Sequence, residues 1–208
     1  MEKEIKIITL GESGVGKTSI INRICYNSFN ENEKTNNTTD FHYLTKFYSK
    51  KKMKIILNFI DTAGQEQYIK ILPKQYIRNS EIVLLVFSNL VNLETLKTRW
   101  LEFYKENANI EKSNFILIGN KSDIFGYDKI KIKELGEQFS EEMDAFFITC
   151  SAKSEDNIDN LINIIVTKAK RLIDEEEKAK IENNIYKLNN DQGSFKVKKV
   201  YKKKKCCK

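Results

Sequence analysis

The chain has 208 residues, 40% of them hydrophobic, which suits one compact domain with a real core plus a tail. The formal net charge is +7, but eight lysines and no acid lie from Lys196 onward, so the first 195 residues stand near −1 and a nucleic-acid-binding body is disfavoured. No run approaches a membrane span, no signal peptide precedes the first strand, and the four cysteines form no disulfide framework, which points to a reducing compartment.

In chain order, Ile5–Leu10 reads as a short apolar strand. It is followed by Gly11-Glu12-Ser13-Gly14-Val15-Gly16-Lys17-Thr18 and by a helix through Ile20, Ile21 and Ile24. That is strand, glycine-rich loop, helix, with the G-x-x-x-x-G-K-[ST] spacing of a phosphate-binding loop. The glycines let successive backbone N–H groups turn inward on phosphate oxygens, and the following helix presents its positive end to the same anion. Lys17 is expected to reach the β- and γ-phosphates and Thr18 to offer its hydroxyl to Mg²⁺. Residues 27–40 read as a polar loop. Phe41–Tyr48 and Met53–Ile60 read as strands of a hairpin turned at Lys50-Lys51-Lys52.

Asp61–Gly64 reads as a loop, with a helical stretch up to Arg78. The continuous apolar run within Glu81–Ser88 marks a buried strand. Leu93–Glu106 is helical, with Leu93, Leu96, Trp100, Leu101 and Tyr104 on roughly one side. Phe115–Gly119 is a further buried strand, Ile130–Phe139 a helix and Ala145–Cys150 the last strand. Asn157–Ile173 closes the domain as an amphipathic helix, with Asp174–Glu177 able to continue it. Alternating β and α units predict an α/β fold, a mostly parallel sheet with helices on both faces, and ligands outside the carboxyl ends of its strands.

Three further strings fall at those ends. Asp61-Thr62-Ala63-Gly64-Gln65-Glu66 follows a strand. Asp61 stands where a second Mg²⁺ contact is expected, direct or through water, Gly64 could lend an N–H to the γ-phosphate, and Gln65 could orient an attacking water. Asn120-Lys121-Ser122-Asp123 follows another strand, and a carboxylate there can accept from the N1–H and 2-amino group of guanine, which adenine lacks. Ser151-Ala152-Lys153 can offer a backbone N–H to the guanine oxygen.

The four strings in this order resemble the Ras superfamily of small GTPases from about Ile5 to Ile173, and within it the Rab branch. Ser13, Asp40-Phe41, the stretch from Gln75 to Ser80, Trp100 and a double cysteine at the end of the chain are similar to Rab features. The resemblance implies a P-loop G domain over residues 1–178 with six strands, five of them parallel, and five helices. It implies nucleotide contacts from Ser13, Gly14, Val15, Gly16, Lys17, Thr18, Ser19, Phe29, Asn36, Gly64, Asn120, Lys121, Asp123, Ser151, Ala152 and Lys153. Phe29 matches the aromatic that packs on guanine; the other reading is an ordinary core phenylalanine. Catalysis would rest on Lys17 and Gln65, and Mg²⁺ on Thr18, Asp61 and the position of Asn36.

The resemblance also implies a GTP/GDP switch in vesicle traffic on the cytoplasmic face of an endomembrane (Golgi, endosomal or secretory), cycling with the cytosol. Its partners would be an exchange factor, a GTPase-activating protein, effectors, a prenylation escort and a GDP-dissociation inhibitor, with no nucleic acid. No arginine in the motifs is an evident finger in cis, so the activating partner would supply one. Two positions depart from the pattern. Ile60 replaces the tryptophan common before DTAGQE and shrinks a surface used by partners. Asn36 stands where a threonine is expected, and Thr35 or Thr38 could take its place by a shift of register. That departure keeps a rival open, a nucleotide-bound scaffold that hardly hydrolyses or switches.

Residues 179–208 read as a basic tail, disordered by composition after Asp191. Lys202–Lys205 followed by Cys206-Cys207-Lys208 resembles Rab ends that take geranylgeranyl groups, although it is no C-a-a-X box. Two lipid chains with a polybasic patch supply the two signals that stable anchoring to an anionic membrane needs. A basic nucleic-acid-binding module fits the tail but not the body.

Overall fold

The computed structural model describes residues 2–31, 40–62, 74–108, 114–124 and 126–197. Six strands form one sheet in the order β2-β3-β1-β4-β5-β6. They are β1 (Glu2–Leu10), β2 (Asp40–Tyr48), β3 (Met53–Asp61), β4 (Ile82–Phe87), β5 (Asn114–Gly119) and β6 (Phe146–Thr149). The β2–β3 pair is antiparallel and every other pair parallel, as the alternating pattern predicts. The hairpin turns through a 3₁₀ segment, Ser49–Lys51, and closes on Lys52 in the left-handed region at φ 50°. Its register pairs Tyr48 with Met53 and carries through to Asp40 opposite Asp61.

The chain's contacts divide it into two units, Met1–Ala169 and Lys170–Lys208. In the first, β4 is buried at every residue, which is why it reads as an unbroken apolar run. One face of the sheet packs Leu10, Leu85, Phe87 and Leu117 against the run Leu90–Asn107 and against Ile132 and Phe139. That run comprises α3 (Leu90–Thr95), a π-helical turn (Leu96–Trp100) and α4 (Leu101–Asn107). It starts three residues before the expected Leu93 because the Asn89 side chain accepts from the Asn92 N–H at 2.8 Å and caps it. The five side chains assigned to its inner side, Leu93, Leu96, Trp100, Leu101 and Tyr104, are all buried. Each such burial contributes about 1.5–3 kcal/mol.

Residues of opposite pleat, among them Ile5, Ile7, Leu57 and Phe59, are buried with Ile20, Ile21 and Ile24 of α1 (Lys17–Tyr26). α2 (Lys74–Arg78) and α5 (Lys129–Glu142) complete the middle of the chain. α6 spans Ile158–Val197, and Ile158, Leu161, Ile165 and Ala169 are its buried positions in the first unit. The expected end near Ile173 is corrected: the chain is helical through Val197, over much of the stretch read as tail. In the second unit, i,i+4 pairs of Arg171 with Glu175 and Lys180 with Glu176 support a polar helix that has no apolar stripe to announce it. Among the described residues, no helix is long and apolar enough to cross a membrane.

Candidate nucleotide site

β1, β3, β4, β5 and β6 all deliver their carboxyl ends to one edge of the sheet, and the four motifs emerge there. Gly11 leaves β1 with φ 148°, and a Cβ on it would lie 2.1 Å from the Val86 carbonyl oxygen. Gly16 has φ 93°, and a Cβ there would lie 2.3 Å from Asn120 Nδ2. Only glycine fits either position, so the loop is moulded by β4 on one side and by the Asn120 loop on the other.

α1 begins at Lys17. Lys17 is 5% exposed, and its Nζ donates to the carbonyls of Gly11 and Glu12, both at 3.0 Å. Burial pushes its pKa down to about 8, against the opposing pull of the Asp61 and Glu12 carboxylates. An ammonium has three donors, so one remains for a phosphate oxygen. Thr18 Oγ1 donates to Asp61 Oδ2 at 2.6 Å. Adjacent ligands in an octahedral Mg²⁺ shell of radius about 2.1 Å lie about 3 Å apart. Two hard oxygens side by side at the mouth of the loop therefore fit that ion. Thr62, next in chain, donates its hydroxyl to the Thr9 carbonyl at 2.6 Å and pins the end of β3 to β1.

The other end of the site is built from side chains. Asn120 is 1% exposed. Its Nδ2 donates to the Val15 carbonyl at 2.9 Å, and its Oδ1 accepts from the Ala152 N–H at 3.2 Å. One amide thus joins the phosphate loop to the Ser151–Lys153 turn. The Ala152 N–H, expected to meet a guanine oxygen, is engaged by Asn120 instead, at the long end of the hydrogen-bond range. Lys121 takes the left-handed region at φ 63°, which lets the chain reverse into the 3₁₀ segment Ser122–Ile124. Asp123 is exposed, and its Oδ1 accepts from the Ser151 hydroxyl at 2.6 Å. Lys153 is exposed and donates to Glu31 at 2.6 Å, which raises its pKa. Phe29 is half-buried, which separates it from the fully buried core. Ser13, Gly14 and Ser19 lie in the loop and the first turn of α1 as expected. Asn36, Gly64, Gln65, Cys206 and Cys207 lie outside the described residues.

Several contributors were not singled out from sequence. Arg23, 8% exposed, donates from Nε to the Ala152 carbonyl at 3.0 Å and pairs with Glu155 at 2.8 Å. The signal was present: an arginine at the apolar spacing of Ile20 and Ile24 must bury its charge against a partner. Asp156 accepts from the Ser122 hydroxyl at 3.2 Å and, through its carbonyl, from the Ser151 N–H at 3.0 Å. Cys150, beneath the turn, is a fully buried thiol whose pKa burial pushes up to about 12, with Asp156 adding to the shift.

The model of the Ras family matches residues 6–171. The Ras-related protein RABG1 of Arabidopsis thaliana is 34% identical over 192 residues, which cover 86% of this chain and 91% of that protein. The chain belongs to the Ras family of small GTPases, in its Rab branch.

Proposed function

We propose that this protein binds GTP and GDP with Mg²⁺, hydrolyses GTP slowly, and serves as a membrane-anchored switch in vesicle traffic. The observation that carries the reading is the Asn120 amide, which ties the Val15 carbonyl of the phosphate loop to the Ala152 N–H of the base-side turn. A ligand with phosphates at one end and a planar base at the other spans the two loops so joined.

In this reading the loop N–H groups and the third Lys17 donor hold the β- and γ-phosphate oxygens. Thr18 and Asp61 would hold the metal, with Asn36 a further candidate ligand. Mg²⁺, when bound, neutralises charge on the β- and γ-oxygens. Gln65 holds a water in line with the γ-phosphorus, and Gly64 lends an N–H to the γ-phosphate. The water attacks, the bond to the β–γ bridging oxygen breaks, and GDP and phosphate remain. Phe29, Lys121 and Ser151–Lys153 seat the base, and Asp123 selects guanine. A GTPase-activating partner supplies an arginine, and an exchange factor, effectors, a prenylation escort and a GDP-dissociation inhibitor complete the cycle.

Residues 1–178 act as the GTPase domain and 179–208 as the tether. Cys206 and Cys207 carry the lipids, and Lys202–Lys205 add attraction to an anionic cytoplasmic leaflet of about 1 kcal/mol per lysine. Asn36 favours a second reading, a scaffold that holds nucleotide but switches weakly. Single-turnover GTP hydrolysis with and without Mg²⁺ separates the two: slow Mg²⁺-dependent release of phosphate supports the switch, and bound GTP that persists unhydrolysed supports the scaffold. Equal displacement of bound GDP by ATP and by GTP sinks both.

A further inference from the structure

A carboxylate is an unfavourable tenant in a loop built for anions, because it repels the phosphates the loop must hold. Glu12 is such a carboxylate, and it is 8% exposed. Its Oε1 accepts from the Trp100 Nε1–H at 2.9 Å and lies 3.7 Å from Arg99 Nη1. The carbonyl of the same residue accepts the Lys17 ammonium at 3.0 Å. Glu12 is therefore held at both ends, by the helix through its side chain and by the phosphate-binding lysine through its backbone. The helix is specialised at the point of contact. Leu96–Trp100 is a π-helical turn inside an otherwise α-helical run. Neighbouring residues of an α-helix do not face the same partner, yet Arg99 and Trp100 both meet one carboxylate here. Single π-turns of this kind are frequent at functional sites.

We infer that Trp100, assisted by Arg99, is a positioning residue for the phosphate loop: by holding the Glu12 carboxylate it turns that charge away from the phosphates and fixes the Glu12 carbonyl that aims Lys17. The inference rests on the reading of this loop as a phosphate site. Trp100 is 1% exposed, so its N–H needs a buried acceptor, a need that packing of the ring alone does not meet.

The test measures release of GDP–Mg²⁺ from the full chain, together with the melting temperature of each variant. W100F keeps an aromatic side chain but loses the donor and some volume, the latter read by the melting temperature; it should speed release about tenfold. E12A should do the same, and the double variant should be no faster than the faster single one. E12Q keeps an acceptor oxygen and should restore most of the loss, and R99A, at a half-exposed residue, should cost about twofold. A W100F protein with a lowered melting temperature and unchanged release overturns the proposal, as does a double variant whose effects multiply. If E12A does not fold, W100F and E12Q decide the matter, because equal release from the two is incompatible with a role for the N–H donor.

A second arm needs no base. Trp100 is the chain's single tryptophan, so its emission reports on this contact. Inorganic triphosphate with Mg²⁺, added to nucleotide-free protein, should shift that emission in the unmodified chain and leave E12A less responsive, with E12Q close to the unmodified chain. No response in the unmodified chain, or the same response in E12A, overturns the proposal. A triphosphate response without any GDP binding would sustain it while removing the guanine reading.

Discussion

The two ends of the site are built on opposite plans. At the phosphate end one buried cation, Lys17, sits on two backbone carbonyls with a donor to spare, beside the Thr18–Asp61 pair. At the base end the side chains already have protein partners, Asp123 the Ser151 hydroxyl and Asn120 the Val15 carbonyl and the Ala152 N–H. In the proposed function the phosphate end, a buried charge with a donor to spare, supplies affinity for a polyphosphate. The base end, with the exposed Asp123 carboxylate beside the Ser151–Lys153 turn, in the same reading supplies choice. Strength and selectivity are thereby separable by mutation.

Base choice is the largest effect expected. A site that hydrogen-bonds a specific donor pair rejects analogues lacking it by about 10⁴–10⁵-fold. Competition of labelled GDP by GTP, ATP and XTP should show that preference in the unmodified protein. Asp123→Asn should collapse it and favour XTP, since an acceptor becomes a donor; unchanged rank order would break the division of labour. Next is Lys17→Met, which keeps the volume and removes the charge. Truncating one partner of a buried charged contact costs about 2–5 kcal/mol, so calorimetry should show GDP affinity falling by roughly 10²–10³-fold with the guanine-to-adenine ratio preserved. A lost ratio would mean that the ends are not independent.

Arg23→Ala removes the link from α1 to the base-side turn and leaves the Ala152 carbonyl without the Arg23 Nε–H. Loss of about 1–3 kcal/mol is expected, read as a lower melting temperature and faster GDP release. Arg23 lies on α1, which begins at the phosphate loop, and bonds to the base-side turn, so it sharpens the comparison: release should quicken about equally for guanine and xanthine nucleotides. The smallest effect is expected at Asn36. Its amide is a poorer fit than a threonine hydroxyl to the strict geometry of Mg²⁺, so Asn36→Thr should leave GDP affinity unchanged and raise GTP-dependent hydrogen-exchange protection over residues 30–41 a few-fold. Full protection in the unmodified protein, with none added by threonine, would show that the asparagine serves as well.

Much of this architecture was legible because period and burial coincide. β4 announced itself by six consecutive apolar residues, all of them buried, and the phosphate loop by glycines whose missing Cβ atoms would strike Val86 and Asn120. The helix beyond Glu177 was not legible, because a polar stretch held by charged i,i+4 pairs leaves no apolar stripe. Nor was the use of Asn120. Its type suggested base recognition, but a buried amide must spend its donor and acceptor on whatever backbone surrounds it, here Val15 and Ala152. Trp100 could be placed on the inner side of its helix, yet no periodicity states that its ring nitrogen meets a carboxylate 88 positions earlier.

The sheet order has a consequence for how the molecule is made. β1 is the first strand synthesised, but it lies between β3 and β4 in the middle of the sheet. The contacts that close the site are remote in sequence: Asn120 to Val15 across 105 residues, and Arg23 to Ala152 and Glu155 across 129 and 132. At roughly 5–20 residues per second of synthesis, the phosphate loop waits about 7–30 s for the turn that completes it. Until then its lysine and the apolar residues of β1 and α1 have no finished pocket or sheet to enter. In the proposed function, nucleotide capture is therefore a late event in the life of the nascent chain, and it rewards only a chain that has emerged past Glu155.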